Sequence, residues 1–133
     1  MNKRAETTLT IANFETGDVD AGRFDHEAHV YVGWLYVQQY ELPEAITRFD
    51  AALKRLVAKV GAESKYHATL TWFFLLLIAE RFLPDESWDT FKQRNNDLLG
   101  GSKALLSRYY SDEYLFSKRA REHFVLPNQL AQP

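Results

Sequence analysis

The sequence predicts an all-α protein: an antiparallel bundle of about four to six helices around a central buried helix near residues 64–82. Three observations carry this. Apolar residues recur at three- and four-residue spacing in several segments, and no segment alternates as a strand would. One stretch, Leu70 to Ala79, is apolar on every side, the pattern of a helix enclosed by others. Short breaks rich in Gly, Pro and Ser separate the segments, which makes sequence neighbours antiparallel in space. With 133 residues, 46% hydrophobic and 14% aromatic, the chain can build one core without a disulfide or structural metal.

Residues 1–23 are polar, carry "TGD" and "DAG" breaks and are expected to form a loosely ordered arm; residues 24–133 form a single helical domain. The first helix should start near Asp25 and run to about Tyr40, with Asp25 as N-cap and Phe24 packing back as a staple. The second is "LPEAITRFDAALKRLVAKVG": Pro43 suits a first turn, Ile46, Phe49, Leu53, Leu56 and Val60 make one stripe, and Gly61 stops it. The third, from Ala62 or Ser64 to Phe82, is the central one, ended by Pro84. Asp85 then caps "ESWDTFKQRNNDLL", which stops at Gly100-Gly101. Ser102 caps a short helix to Tyr110, and Ser111 caps "DEYLFSKRAREHF", ended by Pro127.

The charge balance is even, 16 basic against 18 acidic residues, which argues against a nucleic-acid or acidic-membrane surface as the main role. With no cysteine, thiol catalysis, disulfides, iron–sulfur clusters and cysteine zinc sites are excluded. The start "MNKRAETTLTIANFE" lacks the apolar region of a secretory signal. The longest apolar stretch is well short of the roughly 20 residues that span a bilayer. The expectation is a cytoplasmic protein without nucleic-acid or membrane partners; the aromatic load is compatible with a homodimer.

Of the four histidines, three stand in related settings: His26 and His29 in "FDHEAHVYVGWLY", and His67 in "KYHATLTWFFLLL". His26 and His29, three apart, share a helix face with Val30, Gly33 and Val37. His67 shares one with Leu70, Thr71, Phe74 and Ile78. In an up–down–up bundle the starts of the first and third helices meet at one end. Helix N-termini disfavour imidazolium, so the rings there stay neutral, the form that binds metal or acts as base. Three histidines with an open fourth position is a catalytic zinc arrangement. The expected site therefore has His26, His29 and His67 as metal ligands, zinc or iron as the ion, and His67, Thr71 and Tyr66 as catalytic residues. Asp97 is the candidate carboxylate. Glu80, 13 positions beyond His67, lies roughly 20 Å away along the axis and is better placed to pair with Arg48, Arg81 or Arg121. The H-x-x-H pair alone is a weak motif, and no E-x-x-H pair of the di-iron bundles appears.

The segments "FDHEAHVYVGWLY", "KYHATLTWFFLLLIAERF" and "YYSDEYLFSKRAREHFVLP" resemble a family of small bacterial helical proteins without an assigned activity. Its motifs read F-x-H-x-x-H-x-x-x-A-W-L-Y, K-Y-H-E-T-x-T and L-x-S-x-x-A-R-x-x-F-x-x-P-D. The resemblance covers about residues 24–128 and implies a site including His26, His29, Trp34, Tyr66, His67, Thr69, Thr71, Ser117, Arg121 and Phe124. The chain departs from it at Ala68, where an acid is usual, at Gly33 for alanine and at Asn128 for aspartate.

Two functions from different classes follow. The first is a three-histidine site that binds a divalent metal and acts on a small-molecule ligand by metal-assisted hydrolysis, lyase or oxygenase chemistry. The second is a non-catalytic helical binding or accessory module with structural histidines. A third possibility is cofactor-free binding of a small molecule in an aromatic pocket at the same end of the bundle.

Overall fold

The computed structural model describes residues 9–129. Among them every regular element is helical: α1 (Ile11–Thr16), a 3-10 turn (Ala21–Arg23), α2 (His26–Gln39), α3 (Leu42–Lys59), a second 3-10 turn (Glu63–Lys65), α4 (Ala68–Arg81), α5 (Trp88–Arg94), α6 (Asn96–Leu99), α7 (Ser102–Ser107), α8 (Asp112–Leu115) and α9 (Lys118–Glu122). The all-α bundle expected from periodicity is the observed fold. No helix among the described residues is long and apolar enough to cross a membrane.

Helices α2 and α4 form the central wall, and the core lies on both sides of it. On one side Val32, Tyr36 and Leu75 pack with Phe14 of α1 and with the α3 stripe through Ala45, Phe49 and Leu56. On the other, Val30, Trp34, Phe73 and Ile78 pack with Phe91, Leu98, Leu105 and Tyr110 of the C-terminal helices. This is why α4 is apolar all round: it has partners on both sides. Gly33 lets α2 approach α4, since a Cβ there would lie 3.0 Å from Ile78 Cδ1 and 3.1 Å from Leu75 Cδ1.

The caps explain where sequence-derived boundaries hold and where they move. Asp25 caps α2 as expected, its carboxylate accepting from Ala28 N–H at 3.0 Å. Helix α4 starts at Ala68 and not near residue 62 or 64. His67 is extended (φ −136°, ψ 110°) and its ring takes the Leu70 N–H, so the imidazole itself is the N-cap. The fourth helix is capped by Ser87, not Asp85, which adopts a left-handed φ of 67°. It also breaks at Asn95, whose buried amide donates to the Phe91 carbonyl at 2.9 Å and accepts from Arg81 at 3.1 Å, competing with the helical ladder. The last helix is two: Ser117 accepts from Ala120 N–H and donates to Tyr114 O, ending one turn and starting the next.

Residues 9–23 lie in the segment expected to be a loosely ordered arm; residues 1–8 of that segment are outside the described residues. Within it α1 docks on α3. Phe14 is fully buried between Phe24 and Phe49, at 5.4 and 5.3 Å between ring centroids, with the Tyr36 edge at 6.1 Å. Glu15 accepts from Tyr36 OH at 2.9 Å and from two Arg48 nitrogens at 3.1 and 3.0 Å. Arg55 and Lys59 donate to the Glu15 and Gly17 carbonyls.

At the other terminus Val125 is held from both sides. Buried Thr69 donates to His123 O at 2.9 Å and accepts from Val125 N–H at 3.1 Å, while buried Tyr110 donates to Val125 O at 2.7 Å.

Candidate functional site

The up–down–up order of α2, α3 and α4 brings the start of α2, the end of α3 and the start of α4 together. Between them lies a cavity of about 610 Å³. Its walls are chiefly aliphatic and aromatic, from Phe49, Leu53, Leu56 and Val57 of α3 and Leu70, Phe74 and Leu75 of α4. Gly22 and Phe24, at the end of the arm, complete the lining. A volume of this size matches a drug-sized ligand. His29, Tyr66, His67, Thr71 and Lys65 supply the polar part of the lining.

The three histidines behave differently from one another. His26 is outside the cavity lining; its Nε2–H donates to the Leu98 carbonyl at 2.9 Å and its ring packs against Phe74 at 5.0 Å. His67 lines the cavity with both nitrogens engaged. Its Nε2–H donates to Leu115 O at 2.8 Å, which fixes the tautomer, and the remaining Nδ1 lone pair accepts from Leu70 N–H at 3.1 Å. Burial, with Arg121 nearby, lowers its pKa. His29 lines the cavity and has no hydrogen bond to its ring among the described residues. Its imidazole packs on Phe24 at 4.4 Å between centroids. This is the staple geometry predicted for Phe24, with a histidine as the residue stapled. Burial, and secondarily His26, push its pKa down to about 4 against a small opposing effect of Asp25.

The expected metal centre is therefore corrected. Among the described residues no three His, Cys, Asp or Glu side chains come together in a way that could hold a metal ion. The reason is local. His26 turns to a backbone carbonyl on α6, and the lone pair that His67 would offer a metal caps α4. Asp97, the candidate carboxylate, forms a two-pronged pair with Arg81 at 2.7 and 3.0 Å. That pairing also displaces Glu80 as the Arg81 partner. Arg48 goes to Glu15, and Arg121 donates to the Ser64 carbonyl at 2.6 Å. With the metal goes the divalent-metal function expected for the site, zinc or iron alike.

The residues expected to be catalytic, His67, Thr71 and Tyr66, all line the cavity. Thr71 donates to its own helix at the His67 carbonyl, 2.9 Å away, leaving its oxygen as an acceptor. Tyr66 donates to Asp50, and burial together with that bond raises its pKa. Tyr31 and Tyr36 lie elsewhere, Tyr31 against Trp34 and Trp88 and Tyr36 on Glu15. The α3 wall and Lys65 carry no sequence signal of a site, because an apolar face has the same pattern whether it meets a side chain or a cavity.

His29 gives the fold a pH dependence whose sign follows from its surroundings. Its folded-state pKa of about 4 lies below the ordinary 6.5. Its contribution is thus complete above pH ~6.5 and is lost as the pH falls toward 4. Urea unfolding is expected to show roughly 2 kcal/mol less stability from this group at pH 4 than at pH 7. His29→Leu should remove this part of the slope, leaving the same-signed parts from His67 and from the paired carboxylates Asp97, Glu86 and Glu122. An unchanged slope in the variant would contradict the burial assigned to His29.

Comparison with protein-family models, with curated proteins and with solved structures finds no match.

Proposed function

We propose that the protein binds a small, mainly apolar molecule in the cavity between α2, α3 and α4, without a metal or other cofactor. The observation that carries the reading is His29. A neutral, half-buried imidazole with no hydrogen bond to its ring among the described residues lines an apolar cavity, so a ligand group that meets it in place of water is favoured. In the neutral ring one nitrogen donates and the other accepts, so a hydroxyl, phenol or N–H on the ligand is suited to it. Thr71 offers a second acceptor. His67 and Tyr66 act here as walls held in place, His67 by its cap and its bond to Leu115, and Tyr66 by Asp50.

Para-propylphenol, an apolar body with one hydroxyl, is the first probe. Calorimetric titration is expected to show one saturable site. His29→Leu, which keeps the apolar wall but removes the hydrogen bond, should weaken binding roughly tenfold. Val57→Phe, which fills the cavity from α3, should abolish it. Absence of saturable binding, or binding indifferent to both variants, would remove this reading.

A further inference from the structure

We infer that the ligand of this cavity is a monocarboxylic acid: an apolar chain or ring with its carboxylate at Lys65 and a second hydrogen-bonding group at His29. The inference rests on the cavity reading above and concerns the class of molecule bound.

The electrostatics of the lining carry it. Lys65 is the one formally charged side chain of the cavity lining, which contains no aspartate or glutamate. His29 and His67, the other ionisable nitrogen groups of the lining, are held neutral by burial. The basic side chains around this end of the bundle are otherwise taken. Lys54 pairs with Asp50 at 3.1 Å, Lys59 donates to Gly17 O at 3.0 Å, Lys118 pairs with Glu122 at 2.6 Å, and Arg121 donates to Ser64 O. Lys65 alone among these has no acidic or carbonyl partner among the described residues. It ends the 3-10 turn Glu63–Lys65, directly before Tyr66 and His67, so its stem can follow the cavity wall while the ammonium stays at the solvent edge.

An anion at that edge meets an uncompensated cation, with its apolar body in the cavity. An ammonium ligand in the same place would meet repulsion from Lys65, and the lining itself offers it no carboxylate. The carboxylate stays partly hydrated at the exposed Lys65, which avoids the desolvation penalty of a buried ion pair. Such a pair contributes modestly, so the expected preference is a few-fold. Lys65 thus sets which end of the ligand faces outward, and His29 reads its second polar group.

The test is a matched series on the full chain: ω-hydroxydecanoate, decanediol, decanoate and the ω-amino alcohol of the same length. Titration at low salt should rank ω-hydroxydecanoate about fivefold tighter than the diol, with the amino alcohol weakest. The gap should narrow in high salt, as an edge charge is screened. Lys65→Gln should make acid and diol equal, chiefly by weakening the acid, and should remove the salt dependence of the acid. His29→Leu should instead make ω-hydroxydecanoate and decanoate equal. Should the diol bind as tightly as the hydroxy acid, or the preference survive Lys65→Gln, the carboxylate assignment is wrong while the cavity reading stands. Should no member of the series and no para-propylphenol bind, both fall together.

Discussion

Replacing Phe14 by alanine is expected to cost about 3 kcal/mol in urea unfolding, the low end for deleting a buried phenylalanine ring. Phe14 is fully enclosed by Phe24, Phe49 and Tyr36, so its loss leaves a void in the smaller half-core. The low end applies because α1 is a six-residue helix at the edge, able to settle or detach. Amide exchange should separate these outcomes. Protection is expected to fall first over residues 11–17 and at Phe24, with α4 little changed. Because Phe24 packs against His29 and lines the cavity, the variant should also bind para-propylphenol more weakly, and His29 should titrate closer to its ordinary pKa. A loss below 1 kcal/mol with unchanged exchange would show that α1 does not hold the Phe24 wall.

His67→Ala should lose about 3 kcal/mol, from two roughly separable parts. Removing an N-cap costs about 1 kcal/mol, and leaving the Leu115 carbonyl without its donor costs about 1–3 kcal/mol. Two substitutions divide them. In His67→Asn the amide oxygen stands near the Nδ1 position and can cap Leu70, recovering only the first part. In His67→Gln the amide nitrogen can reach toward Leu115, recovering only the second. A histidine that served the fold in neither way would leave all three variants near wild-type stability, and urea midpoints decide between the cases.

Much of the architecture is local and therefore legible. The α3 stripe, Pro43 in its first turn, the Asp25 cap and the uniformly apolar α4 are each set by residues within a few positions of one another. The helix boundaries that shift have a common cause. Asn95 and Ser117 look compatible with helix continuation until their side chains find backbone partners, and His67 looks like a first-turn residue until its ring is placed over Leu70 N–H. In each case a side chain that can satisfy a backbone group competes with the helical ladder, and burial decides the competition.

The candidate site divides along the same line. Periodicity and short connections suffice for an all-α chain and for the meeting of the α2 and α4 starts at one end, whereas the burial that keeps His29 and His67 neutral comes from packing. Which nitrogen remains available is a tertiary matter. Leu98 and Leu115 lie 72 and 48 positions from the histidines they bind, so no local spacing could reveal that His26 and His67 are occupied and His29 is not. The same holds for the cavity. Phe49, Leu53 and Leu75 show in sequence only that they avoid water, and only the packing of three helices and the Phe24 wall decides that they line a cavity.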